Sequence, residues 1–299
     1  MNHQPNAASF VRVFFAIQSI FRHPIKNSEG QLRNGWWILI YFLLMALMIF
    51  PLAFMAKQSD GAVPIWQQAI VSVIAAFALQ RLRRQPNAEM WGVFDQNWLK
   101  FLVYGMVLGA VLMLIPALAL FVFGIVTFNR NALDLQLIFN GLFICASVAI
   151  TEELIFRGVF LARLKAGVGV IFAQLLVAAY FWLTHSGNPG MEGNIKVLAS
   201  INIFCASILF GIVYLRTGGL AMPIGMHMMA NFVQGTLLGF GVSGHSESGV
   251  FTPNFANVPD WISGGQFGLE ASLPGLLTVI LFCVVIGRYC RFKQTSNAV

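Results

Sequence analysis

The chain has 299 residues, of which 58% are hydrophobic and 10% charged, with a mean hydropathy of +0.76. Charged residues make up about a quarter of an ordinary soluble domain, so a water-soluble globule is excluded and the bilayer is the expected solvent. The formal charge of +7 comes from Lys and Arg dispersed between apolar runs; this argues against nucleic acid as a partner and leaves membrane lipids as the expected surroundings.

In chain order, residues 1–33 read as a cytoplasmic segment without a signal peptide, with an interfacial helix expected over residues 10–22, too short to span. Crossing a bilayer takes about 20 mostly apolar residues, and eight segments approach that: 36–56, 65–82, 101–128, 133–164, 168–186, 195–215, 220–242 and 271–289. The second is the weakest, because it carries Gln67, Gln68 and Gln80. The expected fold is therefore all-α, a polytopic bundle of about eight transmembrane helices. It occupies residues 34–290, has its motif-bearing core at 133–242, and ends in a cytoplasmic tail, 291–299.

Pro51, Pro116 and Pro223 mark kinks, and Gly105, Gly109, Gly124 and Gly211 are expected to let helices approach closely. The longest connection, 243–270, is rich in Gly, Ser, Asn and Pro, lacks Lys and Arg, and reads as a loose outer loop, with a mobile lid as the alternative. The four cysteines, Cys145, Cys205, Cys283 and Cys290, lie in or at the end of apolar segments without CxxC spacing, so neither a disulfide framework nor a cysteine metal site is expected.

Basic residues set the orientation. Fourteen of the 18 Lys and Arg fall on one side of the eight-span outline, among them Arg83, Arg84, Arg163, Lys165, Arg216 and Arg288; Lys57, Arg130 and Lys196 fall on the other, and Arg157 lies inside. Both termini are thus expected in the cytoplasm.

Of the 11 acids, only Glu152 and Glu153 fall inside a span, and of the five histidines only His185 and His227. With Arg157 they make an intramembrane ionisable set on the fourth, fifth and seventh spans, a costly placement that points to function. Glu153 and Arg157, four apart with the acid first, suit an ion pair along one helix face. Glu152 points about 100° away and is left to act on water as a general base. Phe181 and His185 are also four apart, so the ring can pack beside the imidazole. His227 and Asn231 share that spacing and present two hydrogen-bonding groups on one face, suited to an oxyanion hole. A helix-binding Glu–Arg pair, histidines that only join helices, a proton-coupled transporter and a silent scaffold or immunity protein are the competing readings. Glu152, His185 and His227 could alternatively form a His₂Glu zinc site; without His-Glu-x-x-His, metal-free catalysis with no cofactor is the expectation.

Glu-Glu-x-x-x-Arg, Phe-x-x-x-His and His-x-x-x-Asn, in that order on separate spans, resemble the three motifs of the CAAX protease and bacteriocin-processing family of intramembrane metalloprotease-like proteins, which includes the type II CAAX prenyl endopeptidase. The resemblance covers about residues 150–231 and the eight-span outline. It implies a glutamate-dependent intramembrane endopeptidase acting on a hydrophobic or prenylated peptide. Glu152 and His185 would activate water, Glu153 and Arg157 support the site, His227 and Asn231 stabilise the oxyanion, and Phe181 lie against the substrate. The implied location is a multi-pass protein of the bacterial inner membrane; the sequence leaves the oligomeric state open.

Overall fold

The computed structural model describes residues 24–288 apart from Ser28 and Ser59; the interfacial helix expected over residues 10–22 and the tail lie outside them. The described chain is mostly helical. Helix α1 (Asn34–Gln58) and α2 (Ile65–Arg83) lead through the short α3 (Ala88–Trp91) to α4 (Gln96–Val122). Helix α5 (Leu135–Glu153) passes without a break into a π-helix (Leu154–Leu161) and then α6 (Ala162–Val168). Then come α7 (Val170–His185), α8 (Gly193–Thr217) and α9 (Ala221–Asn231), which also continues as a π-turn (Phe232–Leu237). The short α10 (Asp260–Ser263), a 3₁₀ turn (Leu269–Ala271) and α11 (Leu273–Arg288) complete the described chain.

Five of these helical stretches are long and apolar enough to cross a membrane: 34–58, 65–83, 88–122, 135–168 and 193–217. Helices α7 and α11 are apolar but shorter. The outward faces of the helices are what lipid requires: Leu47 and Phe50 of α1 and Ile171 of α7 are each more than 70% exposed, an arrangement that water would penalise.

Local chemistry sets the helix ends. Asp95 caps α4 by accepting from the Trp98 N–H at 2.9 Å, and Asp134 caps α5 by accepting from Gln136 at 2.8 Å and Leu137 at 3.2 Å; the carboxylates satisfy N–H groups that a helix start leaves free. Gly169, at φ +82°, separates α6 from α7.

The third predicted span is too long at its C-terminal end. Helix α4 stops at Val122, and residues 126–130 form strand β1 (Val126–Arg130), paired antiparallel with β2 (Phe251–Phe255) in the register Val126↔Phe255 to Arg130↔Phe251. The fold is therefore helical with a two-stranded ribbon. Apolar, aromatic residues continue across the boundary and conceal it in the sequence.

Glycines do set helix spacing, with one exception. A Cβ on Gly105 would lie 2.1 Å from the Met222 carbonyl oxygen, and one on Gly109 2.1 Å from that of Met226; Gly225 returns the contact against Leu102. Helices α4 and α9 are thus in backbone contact. Gly211 is crossed by the Gln174 side chain, whereas Gly124 meets nothing within 4 Å and serves a left-handed turn at φ +70°. Replacing Gly109 by Leu should separate α4 from α9, lower stability by at least about 2 kcal/mol, and displace His227; thermal unfolding in detergent checks it, and an unchanged midpoint would refute the close packing.

One end of the bundle gathers basic residues. Glu89 on α3 accepts from Arg83 of α2 at 2.6 Å and from Arg163 of α6 at 2.5 Å. Lys165 lies over the ring of Tyr214 of α8 at 5.5 Å, and Arg216 of α8 donates to the Gly287 carbonyl of α11. The ends of α2, α6, α8 and α11 therefore lie together.

Candidate active site

The pair of acids sits where α5 turns into the π-helix, and His227 and Asn231 sit just before the π-turn that follows α9. Such wider turns recur at functional sites because they re-aim side chains within a continuous helix. Glu153 and Arg157 are both fully buried and 2.9 Å apart, the pairing their spacing predicts. The guanidinium also donates to the carbonyl and hydroxyl of Ser207 on α8, at 3.2 and 3.3 Å, and lies between the rings of Phe181 at 5.1 Å and Phe210 at 5.3 Å.

The Glu153 oxygen that accepts from Arg157 also lies 2.8 Å from Nδ1 of His227. Sequence spacing does not reveal this contact, which joins residues 74 positions apart. An ionised carboxylate only accepts, so Nδ1 carries the proton and Nε2 of His227 is aimed away from Glu153. It points at Glu152, at 3.8 Å. Phe210 packs on the other side of the ring, 5.3 Å between centroids.

His185 is held in the same manner from α7. Its Nδ1 donates to the Phe181 carbonyl at 2.8 Å, its ring packs on Phe181 at 4.4 Å, and its Nε2 lies 3.9 Å from Glu152. Two imidazoles, each fixed through Nδ1, thus turn their Nε2 atoms toward one carboxylate. The Oε2 atom of Glu152 is buried and has no hydrogen-bond partner among the described residues, a condition that calls for a water, a proton or a ligand.

Glu152 and His185 reach one level because the α6–α7 hairpin is symmetric. Helix α6 continues past Arg163 to Val168, so Glu152 is 16 residues from that end (168 − 152) and His185 is 15 from the start of α7 (185 − 170). Ring contacts fix the register: Phe156 meets Phe181 at 4.8 Å and Phe160 meets Tyr180 at 5.1 Å.

Glu152, Phe181, His185, His227 and Asn231 line one cavity of about 580 Å³; Glu153 and Arg157 stand behind its wall. The stretch 243–270, expected as a loose loop, instead contributes to the cavity wall. Ser243 donates through its N–H and hydroxyl to Glu270, at 2.7 and 3.0 Å, and its carbonyl accepts from Asn188 at 2.9 Å. Gln234 donates to the Gly241 carbonyl at 2.6 Å. A Cβ on Gly244 would lie 1.9 Å from the Pro189 carbonyl oxygen, so only glycine fits there. His245, Glu247 and Glu270, which the sequence places in a loop away from the site, also line the cavity. Burial raises the pKa of the Glu270 carboxyl, and the Ser243 hydrogen bonds oppose the rise. Reading only the spans for ionisable groups misses these three residues.

As donors, one carboxylate and two imidazole Nε2 atoms suit zinc. Zinc bonds of 2.0–2.1 Å in tetrahedral array hold ligand atoms ~3.3 Å apart, closer than the 3.8 and 3.9 Å separations here. Among the described residues no three His, Cys, Asp or Glu side chains form a ready metal group.

Residues 134–233 match the family described as type II CAAX prenyl endopeptidase Rce1-like. No curated protein matches the chain. The matched stretch contains every group that converges on Glu152 from α5, α7 and α9, together with the buried pair behind it, and residues 134–233 are accordingly a domain of the Rce1-like type II CAAX prenyl endopeptidase family.

Proposed function

We propose that the chain is an intramembrane endopeptidase that hydrolyses a peptide bond in a hydrophobic or prenylated peptide, working through water activated by Glu152. The observation that carries this reading is the convergence of the His185 and His227 Nε2 atoms on Glu152 at 3.9 and 3.8 Å. With Nδ1 of each ring occupied, neutral imidazoles and an ionised Glu152 would turn three acceptors toward one space, and water has only two protons to offer. One added positive charge resolves this. A second proton on His227 makes it an imidazolium, and Glu152, Glu153, Arg157 and His227 then sum to zero charge, as a low-dielectric interior favours.

In that state a water between Glu152 and His185 is deprotonated by Glu152 and attacks the substrate carbonyl carbon. The developing oxyanion is met by the His227 Nε2–H and the Asn231 carboxamide. Collapse of the tetrahedral species breaks the C–N bond as Glu152 returns the proton to the leaving amine. Glu153 and Arg157 position His227, and Phe181 fixes His185 and faces the peptide. The eight-span outline and cytoplasmic termini complete the proposal, supported by the basic ends gathered at one end of the bundle.

The same convergence of three acceptors supports a second reading, in which Glu152, His185 and His227 would hold a zinc ion; such an ion would supply the positive charge and Lewis acidity toward the substrate carbonyl. The test is cleavage of a panel of farnesylated and unprenylated hydrophobic peptides by purified protein, with and without a strong chelator, alongside metal analysis. The proton reading predicts cleavage unaffected by the chelator. Loss of cleavage on chelation, with stoichiometric zinc in the untreated protein, would replace it with the metal reading. No cleavage of any peptide would count against the peptidase.

A further inference from the structure

We infer that Asn202, on α8, is a substrate-positioning residue that hydrogen-bonds the backbone of a peptide bound in the cavity. The inference rests on the peptidase reading for the nature of the ligand, and on geometry of its own. Asn202 is 2% exposed, lines the cavity, and its Nδ2 has no hydrogen-bond partner among the described residues. An amide buried without a partner is costly, and a carboxamide on the buried face of a largely apolar helix has no packing advantage over leucine.

Its place on α8 fits a peptide track. Asn202, Ala206 and Phe210 line the cavity from successive turns of one helix face, and Phe210 packs on His227. Eight residues of helix span ~12 Å, which is the length of three to four residues of extended peptide. A peptide with one carbonyl at His227 and Asn231 thus brings its backbone past Asn202 within that distance. A backbone amide offers both a donor and an acceptor, so it satisfies the Asn202 carboxamide whichever way that group is turned. A prenyl chain or an apolar side chain could not.

The test measures binding apart from cleavage, using a fluorescein-labelled farnesylated heptapeptide and full-length protein in a Glu152→Ala background. Asn202→Leu, close in volume and without the amide, should weaken binding about tenfold while leaving the unfolding midpoint unchanged or higher. Asn202→Gln should recover part of the loss, and Asn202→Ala gives the same comparison should leucine not be accommodated. In proteins with intact Glu152, the effect should fall on KM and leave kcat within about twofold. Equal affinity of the asparagine and leucine proteins, or a peptide that binds neither, would overturn the inference. Cleavage by the wild type with Asn202-independent binding would remove this inference alone; Asn202-dependent binding without cleavage would remove the peptidase reading alone.

Discussion

Arg157→Leu should lower stability by about 3–5 kcal/mol, the largest folding defect expected from a single substitution in this site. Both members of the Glu153–Arg157 pair are fully buried, so removing the guanidinium leaves a carboxylate in the interior with His227 as its remaining partner. It also removes the donors to Ser207 that tie the π-helix to α8, and the cation between Phe181 and Phe210. Replacing both charges, as Glu153→Leu with Arg157→Leu, should restore most of the lost stability, because no uncompensated charge stays buried. Cleavage should stay lost in the double variant, since His227 no longer has an acceptor on Nδ1 to hold its ring. Thermal unfolding in detergent measures the first effect and peptide cleavage the second. A wild-type midpoint for Arg157→Leu would show that the pair is not buried as described.

Glu152→Gln should behave in the opposite way: cleavage falls at least about a thousandfold, about 4 kcal/mol of barrier, while the unfolding midpoint stays level or rises. Glutamine cannot take the proton from water at this position. Folding should depend little on this charge, because neither imidazole makes a direct hydrogen bond to Glu152: the two Nε2 atoms are 3.8 and 3.9 Å away, and His227 keeps Glu153 as its close partner. Removing a carboxylate with an unsatisfied buried oxygen, as Glu152 has, often stabilises a protein at the expense of its activity. Full cleavage by Glu152→Gln would remove the central base from the mechanism; a large drop in midpoint would make Glu152 a structural group.

The two adjacent glutamates differ in their surroundings, Glu153 paired with Arg157 and Glu152 facing the cavity, and the sequence makes that difference legible. The four-residue step from Glu153 to Arg157 lies within one chain segment and obeys helical spacing, as do Phe181 with His185 and His227 with Asn231. What sequence spacing does not reveal is long-range. The Glu153–His227 bond spans 74 positions, and it ties His227 to the buried Glu153–Arg157 pair. The π-helix after Glu153 and the π-turn after Asn231 break the 100° rule on which periodicity depends. The placement of residues 243–270 depends on contacts such as Ser243 with Glu270, and on β1 meeting β2, neither of which leaves a local signal in a Gly-rich, charge-poor segment. Asn202 is overlooked when only ionisable groups are sorted by depth, although a carboxamide amid apolar residues is a visible irregularity.

The central claim is that Glu152 and His227, held by separate helices, act together on a peptide carbonyl. The most direct measurement is the mass of products formed from farnesylated and unprenylated hydrophobic peptides by wild-type protein, Glu152→Ala and His227→Ala under the same conditions. The expected result is a pair of fragments whose masses sum to the peptide plus one water in the wild type, and intact peptide with either variant. Equal fragment yields from the variants, or intact peptide with the wild type, would contradict it.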